Sequence, residues 1–283
     1  MNAAVNSSEA RHEATGLWQR KIIEFEDGTS DRSMRVFWGQ AGRYFVDIRI
    51  PVDRPTIAEK GLGDLSKTEI STLSLQRGFA GILIRDENLF TWDRHLDYQP
   101  STGRPDQAIV QIKSNILRET GTPDAVLGVR YTEIYERICA GENQCAALTL
   151  DTRKSASAAS AKLSETILIV LDDHFLLARA RPMPLPLTAT GGMPALLEGV
   201  MGDKVEIARI LDCELSMGRI GGTSSTWKID LSTFPWREGQ RLFPRDKLSL
   251  LDGQVCQATE AGDLFWTIEE ASLPAEELLA LMQ

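Results

Sequence analysis

Three short stretches of the chain carry acids, bases and phenols two residues apart, the spacing that aims side chains the same way from a β-strand. YFVDIRI (44–50) sets Asp47 beside Arg49, with Tyr44, Val46, Ile48 and Ile50 on the opposite, apolar face. WDRHLDYQP (92–100) sets Asp93, His95, Asp97 and Gln99 on one face and Trp92, Arg94, Leu96 and Tyr98 on the other. YTEIYER (131–137) sets Tyr131, Glu133, Tyr135 and Arg137 together, while LRET divides Arg118 and Glu119 between two faces.

Arginine presents a planar fork to carboxylates and carbonyls, and tyrosine puts a hydroxyl on an apolar body. If these faces share an enclosed space, burial raises the carboxylate pKa values and the guanidiniums lower them, which separates a proton donor from a base. His95, Asp97 and Glu133 are then the candidate proton carriers. Asp47, Arg49, Trp92, Arg94, Gln99, Glu119, Tyr131 and Tyr135 are the candidate ligand contacts, with Arg49 and Arg94 anchoring an anionic or carbonyl group. The same alternation also fits faces in water, where an Asp–Arg pair contributes about 0–1 kcal/mol. Strand parity alone does not tell inside from outside.

The elements that would position these residues are mostly short β-type runs separated by turns. LWQRKIIEF (17–25), RVFWGQ (35–40) and YFVDIRI form a meander that Pro51 and Pro55 end. Ser66 three residues before Glu69 is a capping-box pattern that predicts a short helix within 65–77. Strands resume at GFAGILIR (78–85) and continue through CAALTLD (145–151), then ETILIVLD and HFLLARAR as a hairpin around Asp172–Asp173. RPMPLPLTATGGMP (181–194) is the boundary signal. Beyond it PALLEGVM reads as a short helix, KVEIARILDCELSMGRI (204–220) as β, and PAEELLALM (274–282) as a terminal helix. The reading is a polar tail over 1–14, a barrel over 15–182 and a β-rich part over 183–283. The predicted class is all-β, with antiparallel strands that close or stack to hide their edges.

Composition narrows the function. The formal net charge of -9 over 283 residues argues against a nucleic-acid partner. No stretch approaches the roughly 18 apolar residues of a spanning helix, and the first fourteen residues lack the apolar segment of a secretory signal. Cys139, Cys145, Cys213 and Cys256 form no CxxC pair, so free thiols in a cytoplasmic protein are expected. No two histidines sit at ligand spacing, so no metal is expected, and no cofactor motif occurs: GRIGGTSS (218–225) lacks the following lysine of a phosphate loop.

At residues 16–18 the sequence GLW opens the first strand directly after the polar tail. A Gly-x-Trp there resembles the lipocalins and the wider calycin group of up-and-down barrels. The resemblance covers residues 15–182 and implies that Trp18 closes the base of a barrel, with a basic residue of the last strand packed across it; by position this is Arg179 or Arg181. The helix within 65–77 departs from the usual lipocalin order. Some calycin-like chains hold two barrels, carotenoid-hydratase-like enzymes among them, and the length permits that. The expectation is a calycin-like β-barrel that binds a small organic molecule, with cofactor-independent lyase, hydratase or isomerase chemistry open to it. The competing expectation is a non-catalytic interaction protein with solvated strand faces. A homodimer through the Trp227–Trp236 region is a further one.

Overall fold

A computed structural model describes residues 13–121, 129–157, 164–187, 191–221, 227–243 and 247–282. The polar tail, apart from Glu13 and Ala14, lies outside the described residues. So do residues 158–163 and 222–226.

The first sheet contains β1 (Gly16–Phe25), the two-residue β2 (Ser30–Asp31), β3 (Met34–Ala41), β4 (Tyr44–Pro51), β5 (Arg77–Asp86), β6 (Leu89–Asp97), β7 (Gln107–Lys113), β8 (Ile116–Gly121) and β9 (Tyr131–Cys139). Apart from β2, each strand pairs antiparallel with the next, and β9 returns to pair with β1 from Leu17↔Cys139 to Phe25↔Tyr131. The result is a closed, eight-strand antiparallel barrel, which removes the sheet edges. Helix α1 (Lys67–Ser74) interrupts the meander between β4 and β5. It starts at Ser66, whose side chain and that of Glu69 exchange both capping-box bonds.

The second sheet runs in the order β14-β13-β12-β11-β10-β17-β16-β15. Its strands are β10 (Cys145–Leu150), β11 (Thr166–Leu171), β12 (His174–Arg179), β13 (Glu214–Arg219), β14 (Lys228–Ser232), β15 (Leu248–Leu251), β16 (Gln254–Thr259) and β17 (Gly262–Ala271). The change of sheet falls between Cys139 and Cys145, so the strands of 145–179, expected within the barrel, are ladder partners of the C-terminal strands instead. Helices α2 (Gly192–Gly199) and α3 (Lys204–Leu211) join β12 to β13, and α4 (Ala275–Met282) ends the chain. The helix α3 replaces the β-segment expected from residue 204. Asp203 accepts from Val205 and Glu206 as its N-cap, and Ile207, Ile210 and Leu211 bury one helical face.

One face of the second sheet packs on the outside of the barrel. Val46, Ile48 and Ile50, the apolar face read from β4, meet Ile167, Ile169, Leu176 and Leu215 there. The other face curls around Trp227, Phe243, Trp266, Val255, Leu278 and Met282. Trp227 is thus buried within its own chain and donates its indole N–H to Leu281 O at 3.0 Å. All four cysteines are free thiols. Among the described residues no helix is long and apolar enough to cross a membrane.

Candidate functional site

The barrel interior is layered. At its base Trp18, Phe45, Leu83, Phe90 and Leu117 form an apolar plug, and Trp38 above them contacts Trp18, Trp92 and Tyr135 with ring centroids 6.4, 5.8 and 6.3 Å apart. The Trp18 indole donates to Ala14 O at 2.8 Å, and a guanidinium lies 4.3 Å from its ring. That guanidinium belongs to Arg137 of β9, not to Arg179 or Arg181. Closure at β9 makes it the last barrel strand, whereas Arg179 pairs with Asp212 at 2.8 Å and Arg181 donates to Ile210 O, Asp97 O and Tyr98 O.

Above the plug the lumen becomes charged and opens into a cavity of about 1200 Å³. The odd-numbered face of β4 and the Tyr131–Tyr135 face of β9 both point inward, so Asp47 and Glu133 are each 2% exposed and Glu119 is 6% exposed. Glu133 is the hub. It receives Arg20, Arg49 (3.5 Å) and the Tyr135 hydroxyl. Burial opposes its charge, but Arg49, Arg20 and the Tyr135 hydrogen bond outweigh it and hold its pKa below the usual glutamate value. Arg49 also grips Asp47 through Nε at 2.7 Å. Burial raises the Asp47 pKa despite that partner.

Glu119 has a different setting. It stands directly opposite Glu133 in the β8–β9 ladder, where two like charges destabilise each other. No cation pairs with it among the described residues, and its side chain accepts one bond, from the Tyr131 hydroxyl at 3.3 Å. Burial, then the charges of Glu133 and Asp106, push its pKa well above the usual value, whereas that of Glu133 lies below it. Gly121 makes the Tyr131 position available, since a Cβ there would lie 2.0 Å from the Tyr131 ring.

The β6 strand departs from simple alternation. Gly81 pairs with Arg94 and Ala80 with Leu96, so the strand bulges at His95. Gly81 permits this, because a Cβ there would meet Asp93 O at 2.0 Å. The extra residue changes which parity faces the lumen: Trp92 and Arg94 line it below the bulge, Asp97 and Gln99 above it. His95 lies outside the cavity, exposed and 2.9 Å from Glu165, so it is not brought together with Asp97 and Glu133. Arg94 donates to Asp97 at 2.6 Å and to Asp106 at 2.5 and 2.9 Å, and its guanidinium sits 3.5 Å from the Phe79 ring. Burial raises the Asp97 pKa against the pull of Arg94. Gln99 bonds Ser74 O, Gln76 O and Met193 N, tying α1 to α2.

Arg20, Arg77 and Asp106 also line the cavity and were not among the candidates. Arg20 shares the parity of Trp18 on β1, a signal present in the sequence. Arg77 reads there as the end of the helix, and Asp106 lies in a proline-flanked loop without periodicity.

The fold and site together define a closed eight-strand antiparallel β-barrel with a polar lumen, backed by a second β-sheet. No family model and no curated protein matches the chain. Among solved structures it is similar to the crystal structure of the uncharacterized protein YLR301w from Saccharomyces cerevisiae, with 14% sequence identity and a TM-score of 0.52. The likeness covers 91% of this chain and 98% of that one, and at this identity it is a likeness of fold.

Proposed function

We propose that this is a calycin-like barrel that binds a small organic molecule in its lumen and is equipped for cofactor-independent proton transfer of the kind used in hydration, dehydration or isomerisation. The observation that carries the reading is the Glu119–Glu133 pair at the wall of the cavity, two facing carboxyls whose surroundings drive their pKa values apart. Glu119 is the proton donor, and Glu133 is the ionised partner that stabilises positive charge or takes a proton back. Tyr131 orients Glu119, and Trp92 and Phe79 supply apolar wall. Support for the calycin assignment is the Gly16-x-Trp18 opening with a guanidinium of the last barrel strand across the indole.

Native mass spectrometry of freshly purified protein tests the binding reading. A co-purifying small molecule that leaves on denaturation is the expected result. A bare protein that also fails to bind any member of a library of small carbonyl compounds and carboxylates overturns it. For proton transfer, Glu119→Gln is expected to bind the recovered molecule but not convert it.

A further inference from the structure

Both arginines first expected to hold an anion are already engaged: Arg94 by Asp97 and Asp106, Arg49 by Asp47 and Glu133. Arg77 is different. It opens β5 directly opposite Arg49 in the β4–β5 ladder, and both line the cavity. Two like charges facing each other across an antiparallel pair are unfavourable unless something negative lies between them. The Arg77 side chain, exposed in the cavity, makes no hydrogen bond or ion pair with any described residue. Partial desolvation by the cavity walls, then the charges of Arg49 and Arg20, lower its pKa from the usual arginine value, and it remains a cation whose five donors no protein group uses among the described residues.

We propose that Arg77 is the anchor for the ligand of this cavity and that the ligand is an organic monocarboxylate, held bidentately by Arg77 beside Arg49; this rests on the lumen being a binding site. The lip decides between carboxylate and phosphate. Asp31, Asp53, Asp93, Asp97 and Asp106 also line the cavity, as does the loop residue Arg104, and Arg77 is the one lining arginine on a barrel strand with no carboxylate partner among the described residues. A planar monoanion matches the fork of Arg77, whereas a phosphate dianion would bring twice the charge against those five carboxyls. Phe79, Trp92, Leu75, Phe25 and Met34 give the cavity its apolar wall, which suits a ligand with an apolar body.

Calorimetric titration with three ligands of one shape tests this: 2-naphthoate, the neutral 2-naphthalenemethanol and 2-naphthyl phosphate. Wild type should bind 2-naphthoate tightest. Arg77→Gln should weaken that binding by about tenfold or more, the usual consequence of losing a charge-assisted bidentate contact, and change 2-naphthalenemethanol by less than about twofold. Arg77→Lys, which keeps the charge but not the fork, should fall between. Unchanged near-ultraviolet circular dichroism checks that Arg77→Gln is folded. If naphthalenemethanol binds as well as naphthoate and Arg77→Gln changes neither, the anchor is wrong while the binding lumen stands. Tighter binding of the phosphate overturns the carboxylate class. If none of the three binds, the anchor falls together with the lumen reading.

Discussion

The chain encloses two interiors of opposite character. The second sheet curls around indoles, phenyl rings and aliphatic chains, with Trp227 between Phe175 and Phe243 at 5.2 Å from each. Of the four buried acidic side chains among the described residues, Asp47, Glu119 and Glu133 sit in the barrel, and only Glu214 lies on the second sheet. Burying an ion costs several kcal/mol before its partners offset it. The second sheet demonstrates that this chain can fill a β interior without that cost. The barrel adopts the same apolar solution in its lower half, around Trp18 and Trp38, and abandons it where the cavity begins. Within the barrel the buried acids are thus confined to the half that holds the cavity.

Unfolding each interior separately tests that contrast. Trp227→Ala removes a fully buried indole and should lower stability by about 3–5 kcal/mol, equally at pH 5 and pH 8, in urea titrations. Glu133→Gln leaves Arg20 and Arg49 short of their shared carboxylate and should cost about 3 kcal/mol at neutral pH. That loss must depend on pH. Because the folded-state pKa of Glu133 is depressed, its contribution is complete above the unfolded value and disappears as pH falls through the folded one. Wild type and variant should then converge in acid. A cost under about 0.5 kcal/mol at pH 7 would make the lumen an ordinary solvated face and remove the contrast.

Glu119→Gln should act in the opposite direction. A carboxyl whose folded pKa is raised binds more protons in the folded than in the unfolded state, so stability falls as pH rises from the unfolded pKa towards the folded one. Glutamine has no such proton to hold. The variant should therefore gain on wild type with rising pH, by up to about 1.4 kcal/mol per unit, with no gain near pH 4. A flat difference between pH 4 and pH 8 would mean that Glu119 is ionised and the pair does not share one proton.

The parts of this arrangement legible in the sequence were those governed by local period. Alternation in YFVDIRI and YTEIYER placed Asp47, Glu133 and Tyr135 on polar faces, and the Ser66–Glu69 box marked α1. Local reading failed where one residue breaks the period, as at His95, and where β-branched residues hide a capped helix, as at Asp203–Leu211. It also failed where meaning comes from distant closure. Arg137 becomes the partner of Trp18 because β9 returns to β1, and Arg77 becomes conspicuous because β4 sets Arg49 opposite it. Neither register is written in the segments themselves.

The smallest expected effect separates the base of the barrel from its mouth. Arg137 lies across Trp18 and donates through Nη2 to Glu13 O at 2.8 Å, so it fastens the entering segment over the plug. Arg137→Gln should cost about 1 kcal/mol, the scale of a partly desolvated cation over an indole, read as a shift of the urea midpoint at unchanged slope. Because the plug lies below the cavity, the same variant should keep its affinity for 2-naphthoate within about twofold, whereas Arg77→Gln should lose affinity with little change in stability. If Arg137→Gln weakened binding as much as Arg77→Gln, the base and the mouth would be one mechanical unit, and the division of the barrel into a structural half and a binding half would fail.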